Sequence, residues 1–146
     1  MKTLIMLRHA DVDDVPDPEL NARGQLRAVA LAELLAVAGV TSIFVSPALR
    51  TQQTAAPLAA KLNLAAQIVA TSQQTVTKAL SAVAGKVIVV IGHSNTIPEM
   101  LHALGGAISA TVVLKGHEDL FVATVLAPNS LSVVHLKYQS HSPSPS

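Results

Sequence analysis

Two arginines and two histidines in this chain stand where short apolar runs stop. Leu4-Ile5-Met6-Leu7 leads into Arg8 and His9. Ile43-Phe44-Val45 leads into Ser46-Pro47-Ala48-Leu49-Arg50, and Val87-Ile88-Val89-Val90-Ile91 leads into Gly92-His93-Ser94. A neutral imidazole can attack phosphorus when its other ring nitrogen donates to a fixed acceptor, usually a backbone carbonyl. Nearby cations favour that neutral form, because like charge lowers a histidine pKa. They also neutralise the phosphoryl oxygens, which with positioning is most of phosphoryl-transfer catalysis. Arginine suits this chemistry because its planar fork matches phosphate bidentately. Arg8, His9, Arg50 and His93, once brought together, describe a phosphoryl site with a histidine nucleophile. Ser94 and Asn95 follow the second histidine and are candidates to donate to the same phosphate, or to cap a helix.

The elements around these residues explain how they would meet. Short, β-branched apolar runs bounded by turn residues read as buried parallel strands. The carboxyl ends of parallel strands share one edge of the sheet, where ligands bind. Strands are expected over about Thr3–Leu7, Ser42–Val45, Gln67–Val69 and Lys86–Ile91. Two late strands, Leu120–Val125 and Leu131–Leu136, are joined at Pro128-Asn129-Ser130 and expected to pair antiparallel at a sheet edge. Asn21 is placed to cap a helix running to about Ala38 and closed by Gly39, with its apolar positions Leu26, Val29, Ala30, Leu34 and Val37 at helical spacing. Ser46 as N-cap and Pro47 at N1 open a second helix to about Leu62, which puts Arg50 in its first turn beside free amides and the positive dipole end. Further helices are expected over Ser72–Val83, ended by Gly85, and from Asn95–Ile97 to Gly105-Gly106. Ala10–Leu20, with Asp11, Asp13, Asp14, Asp17 and Glu19 around two prolines, reads as a loop over the site. The β-α alternation predicts an α/β protein: a three-layer αβα sandwich, its sheet mostly parallel with antiparallel late strands. One domain over 1–139 and a Ser/Pro-rich tail over 140–146 account for the chain.

Bulk composition narrows the chemistry. The 146 residues are 50% hydrophobic and 13% charged, with net charge +1. That balance gives no electrostatic case for a nucleic-acid partner. No cysteine is present, which excludes disulfides, thiolate chemistry and Cys-based zinc sites. No run approaches the ~20 apolar residues of a membrane-spanning helix, and the opening apolar stretch is too short for a signal peptide. A cytoplasmic protein without membrane contact is the expectation. His102, His117, His135 and His141 show no metal-ligand spacing and read as structural or surface residues; no metal or cofactor is expected. Arg23 and Arg27, four apart, read as a solvated helix face.

The three words resemble the histidine phosphatase superfamily, with its phosphoglycerate mutase-like fold. The family pattern is a strand ending in Arg-His-Gly, then Ser-x-x-x-Arg-x-x-x-Thr-Ala, then a strand ending in a second His. Here these stand as Leu7-Arg8-His9-Ala10, Ser46-Pro47-Ala48-Leu49-Arg50-Thr51-Gln52-Gln53-Thr54-Ala55 and Gly92-His93-Ser94-Asn95. Leu20-Asn21-Ala22-Arg23-Gly24 is similar to the family's Leu-Thr-x-x-Gly, and the late runs Asp119–Val122 and Val133–Tyr138 resemble its terminal strands. The resemblance covers the chain apart from the tail. It implies His9 as the phosphorylated nucleophile and Arg8, Arg50 and His93 as the phosphate pocket, without a metal. The length is similar to the smallest members, the phosphohistidine phosphatases among them. It implies hydrolysis of a small phosphorylated substrate or a phosphohistidine protein rather than mutase chemistry.

Two departures stand out. Ala10 replaces the usual glycine, which requires a negative φ there. No Asp or Glu occurs from Leu34 to Pro98, where the mutase-containing branch usually carries its acidic proton donor, and Ser94 stands where the other branch places Asp. Asp11 is then the nearest candidate acid; without one, good leaving groups such as aryl phosphates and phosphoramidates would be favoured. The missing acid also leaves open a non-catalytic phosphate-binding protein. A third reading takes Gly92-His93-Ser94-Asn95-Thr96 as a nucleophile elbow with Asp119 and His135 completing a Ser94-based α/β-hydrolase, but it leaves Arg8, His9 and Arg50 unexplained.

Overall fold

The computed structural model describes residues 1–82, 86–127 and 130–139. Among these residues six strands and four helices follow one another as β1 (Lys2–Arg8), α1 (Ala22–Leu35), β2 (Ser42–Val45), α2 (Leu49–Leu62), β3 (Gln67–Ile68), α3 (Ser72–Ser81), β4 (Val87–Gly92), α4 (Thr96–Ala103), β5 (Asp119–Ala127) and β6 (Ser130–Lys137). They form one sheet of order β3-β2-β4-β1-β5-β6. The first four in that order run parallel; β5 lies antiparallel to β1, and β6 antiparallel to β5 at the edge. The expected α/β sandwich is therefore present. The helix end at Gly85, the Pro128-Asn129 turn and the tail 140–146 with His141 lie outside the described residues.

The sheet is covered on both faces, which is why β1 and β4 read as unbroken apolar runs. On one face Leu4, Met6, Ile88 and Val90 pack with Ile97, Met100 and Leu101 of α4 and Ala79 of α3. On the other, Ile5, Leu7, Val89 and Ile91 pack with Leu31 and Leu35 of α1 and Ala55 and Leu58 of α2. Alternation along each strand divides its side chains between these two layers. The register fixes the rim: Arg8 lies opposite Gly92 and Val45 opposite Ile91. The ends of β1, β2 and β4 are thus level.

Two local expectations, for Arg27 and for the start of α2, are corrected, and the apolar positions of α1 are not its buried face. Helix α1 does not bury the Leu26–Val37 stripe: Leu26, Val29, Leu34 and Val37 are exposed, and of that stripe only Ala30 is buried. The buried face carries Gly24, Arg27, Ala28, Leu31, Ala32 and Leu35. The reason lies at Gly24 and Arg27. A Cβ on Gly24 would overlap the Asp11 carbonyl, and Arg27 donates to both Asp11 and the Tyr138 carbonyl, so this face is turned inward. Arg27, expected from the sequence to be solvated, is consequently 7% exposed. Helix α2 starts later than expected, at Leu49, with Ala48 at the N-cap position and no side-chain cap. Ser46 is engaged elsewhere, as described below. The Asn21 cap forms as expected, its side chain accepting from the Gly24 amide.

Candidate active site

Arg8, His9, Arg50, His93, Ser94 and Asn95 all line one cavity of about 640 Å³ at the carboxyl rim of β1, β2 and β4. The backbone brings the two histidines together. The His9 amide donates to the Gly92 carbonyl at 2.9 Å, continuing the β1–β4 ladder one step past Arg8. The rings of His9 and His93 have their centroids 5.5 Å apart, edge to face. Gly92 is required in this turn, since a Cβ there would approach Thr96 Oγ1 and the Ile97 side chain.

His9 is buried, and its Nδ1 lies 2.8 Å from the Ala10 carbonyl. The carbonyl can only accept, so Nδ1 carries the proton and Nε2 carries the lone pair. Burial lowers the His9 pKa to about 4; the Ala10 carbonyl opposes this, and Arg8, His117 and His93 add to it. At neutral pH the ring is neutral. Ala10 tolerates its position because Asp17 and Asn63 are the non-glycine residues with positive φ among those described. The Ala10 amide donates to Thr54 Oγ1 at 2.9 Å, and that hydroxyl donates to the Arg50 carbonyl at 2.7 Å. One threonine thus joins the turn carrying His9 to the first turn of α2, which carries Arg50.

His93 is held from two sides. Its amide donates to Thr96 Oγ1, and its Nε2 lies 2.8 Å from Ser46 Oγ. Ser46 Oγ also lies 2.9 Å from Thr51 Oγ1. This use of Ser46 replaces its expected capping role. Burial lowers the His93 pKa, and Arg50 and Arg8 lower it further. Asn95 sits at the N-cap position of α4 without a side-chain cap bond, so its amide group remains available to the cavity. Arg8 Nη1 donates to the Gly116 carbonyl at 3.2 Å, while its buried Nε has no protein partner. A buried guanidinium N–H without an acceptor is costly. Arg50 Nη1 lies 3.3 Å from Asp17 Oδ1, an exposed carboxylate in the left-handed conformation.

Two placements differ from the sequence reading. Asp11 is not among the residues lining the cavity; its Oδ1 lies 2.6 Å from Arg27 Nε. Burial pushes its pKa up, but the Arg27 hydrogen bond and charge outweigh this and hold it below the usual carboxylate range. A carboxylate kept ionised and turned toward Arg27 is not a proton donor to the cavity. The loop expected to cover the site does so through Val12, Asp13, Asp14, Val15 and Pro18. His117, expected from the sequence to be structural or on the surface, also lines the cavity, and its ring centroid is 5.4 Å from that of His9. Its only sequence signal is a Lys-Gly-His turn just before β5, the neighbour of β1. The remaining pair, Asp119 and His135, interacts at 2.7 Å on β5 and β6, and neither residue lines the cavity containing Ser94. Among the described residues no group of three His, Cys, Asp or Glu side chains is placed to hold a metal ion, and no helix is long and apolar enough to cross a membrane.

Known proteins share this fold. Residues 4–71 match the histidine phosphatase superfamily (branch 1). The protein histidine phosphatase SixA, solved with tungstate, superposes with TM-score 0.75 at 16% identity, covering 92% of this chain and 96% of that one. The mycobacterial glucosyl-3-phosphoglycerate phosphatase Rv2419c, solved with inorganic phosphate, gives TM-score 0.71 at 15% identity over 97% of this chain and 98% of that one. The PE-PGRS family protein PE_PGRS11 of Mycobacterium tuberculosis (strain ATCC 25618 / H37Rv) is 53% identical over 55 residues, 37% of this chain; the match spans 9% of that protein's length. Arg8, His9 and Arg50 fall inside the segment that matches the histidine phosphatase superfamily, and the shared fold brings His93 beside them in one cavity.

Proposed function

We propose that this protein is a metal-independent phosphatase that hydrolyses phosphate monoesters or phosphoramidates through a phosphohistidine on His9. The observation that carries the proposal is the His9 tautomer: Nδ1 is bound by the Ala10 carbonyl, so the lone pair sits on Nε2 in a ring that shares its cavity with Arg8, Arg50 and His93. His9 Nε2 forms a bond to phosphorus as the bond to the leaving group breaks, and the bonding pair stays with the leaving atom. Arg8, Arg50, His93 and the polar groups of Ser94 and Asn95 neutralise the phosphoryl oxygens through both steps. Water then attacks phosphorus, the P–N bond breaks, and the pair returns to Nε2 with release of phosphate. Small phosphorylated molecules and phosphohistidine on another protein are both within this chemistry.

Incubation with radiolabelled or 18O-marked aryl phosphate, followed by rapid quench under alkaline conditions, tests the reading. Wild type should yield an acid-labile phosphohistidine and turn over. His9→Ala should fold, bind phosphate and do neither. Tight oxyanion binding with no phosphoenzyme and no turnover in wild type would instead make the protein a non-catalytic phosphate binder.

A further inference from the structure

The proton needed by a poor leaving group has no carboxylate source in the usual place, since no Asp or Glu lies between Leu34 and Pro98 and Asp11 is committed to Arg27. The cavity instead holds a third imidazole. His117 Nδ1 lies 2.8 Å from the carbonyl of His9 itself. That acceptor fixes the proton on Nδ1 and leaves Nε2 as the exchangeable nitrogen. The contact ties the His117 ring to the backbone of the nucleophile, and the His9 ring touches both His93 and His117.

We propose that His117 is the general acid–base of this site, donating from Nε2 to the leaving group and then accepting from the attacking water. The inference rests on phosphoryl transfer to His9. His93 is less suited to proton transfer, because its Nε2 is occupied by Ser46 and both arginines bear on it with no carboxylate opposing them. His117 has Arg8 and Arg27 nearby but also Asp11, whose charge favours the imidazolium. Burial keeps free His117 neutral at pH 7, its pKa being lowered from the ordinary value, with Arg8 and Arg27 assisting and the His9 carbonyl and Asp11 opposing.

The proton inventory closes without any outside acid. A phosphate ester has a second pKa near about 6, so a monoanion carries one proton into the site. Among the cationic side chains the bound ester is favoured as the dianion, and its proton passes to His117 Nε2. As His9 Nε2–P forms and P–O breaks, that proton goes to the leaving oxygen, which departs as a neutral alcohol. In the second step water loses a proton to His117 Nε2 as its oxygen bonds to phosphorus. The P–N pair returns to His9, and His117 gives the proton back to the departing phosphate.

A leaving-group series, from p-nitrophenyl phosphate to an alkyl phosphate, run on wild type and His117→Asn, tests the assignment. Asparagine Nδ2 can retain the bond to the His9 carbonyl while the Nε2 arm is removed. General acids contribute ~10²–10⁴-fold, so kcat/KM on the alkyl ester should fall at least tenfold more than on the aryl ester. The labelled phosphohistidine should still form on His9 from the aryl ester. Equal losses on both esters, or a selective loss in Asp13→Asn or Asp14→Asn but not in His117→Asn, would overturn the assignment while leaving the His9 chemistry intact. Failure of wild type itself to form phosphohistidine would overturn both, and is read directly in the same quench.

Discussion

Arg27 Nε and Asp11 Oδ1 meet at 2.6 Å in a largely buried pair, with side-chain exposures of 8% and 13%. The same guanidinium donates to the Tyr138 carbonyl at 2.8 Å and lies over the Tyr138 ring. Asp11 is thereby the link between the turn after His9 and the end of β6. Removing one partner of a buried pair strands the other charge and costs about 3–5 kcal/mol. Asp11→Ala should destabilise the protein by roughly 3 kcal/mol in urea unfolding, with rate losses that do not depend on the leaving group. A selective loss on alkyl esters with unchanged stability would return the acid role to Asp11.

Oxyanion binding should be readable as stability. Phosphate at 100 times its Kd should raise the unfolding free energy by about 2.7 kcal/mol, and a chelator should leave that gain unchanged. Arg50→Ala should weaken phosphate roughly tenfold to a hundredfold, the worth of hydrogen bonds to a charged group. Asp17→Asn acts in the opposite direction. Asp17 contacts Arg50 at 3.3 Å from an exposed position, and such pairs are worth about 0–1 kcal/mol. Removing the competitor should tighten phosphate by no more than about fivefold. Phosphate bound equally well by Arg50→Ala would break the proposed pocket.

Stability should fall in acid through the histidines. Above pH 6.5 His9 is neutral in both the folded and unfolded chain. Between there and its folded value of about 4, the unfolded chain takes up a proton that the folded one refuses, so stability drops as pH falls. The size is roughly 3 kcal/mol for His9, and the lowered pKa values of His93 and His117 act with the same sign. His9→Gln should flatten the curve of unfolding free energy against pH between about 6.5 and 4. Parallel curves for the two proteins would show that His9 titrates normally in the folded state.

The strands are legible in the sequence because burial on both faces leaves a signature that tolerates little else: β1, β2 and β4 each appear as an apolar run ended by a chemical word. Arg8, His9, Arg50 and His93 meet as the sequence predicts, for the same reason. The inward face of α1 is not legible, because periodicity weighs Leu and Val by size. Its orientation is decided instead by a glycine that must touch the Asp11 backbone and an arginine with two fixed acceptors. His117 gives no local signal because its place comes from β5 lying beside β1, a long-range antiparallel pairing that puts the turn before β5 next to His9. Ser46 reads as a cap because capping is a local habit of serine; its bond to His93 spans 47 residues.

The pinning of the acidic loop has a consequence for how the protein can diversify. Its two ends are clamped: the Val12–Leu20 bridge and the Asn21 amide on the Asp11 carbonyl close it at the neck. The turn carrying His9 is meanwhile fixed by Gly92 and Thr54, neither of which belongs to the loop. Between positions 12 and 20 the segment reaches α2 through Asp17 on Arg50 and Glu19 on Gln53. Loop-closure entropy rises only slowly with length, so segments of other lengths can be accommodated at that neck while the backbone contacts that hold His9 are kept. On the proposed reading, a change within the loop alters what the cavity admits, and touches the phosphate pocket itself only through Asp17 on Arg50.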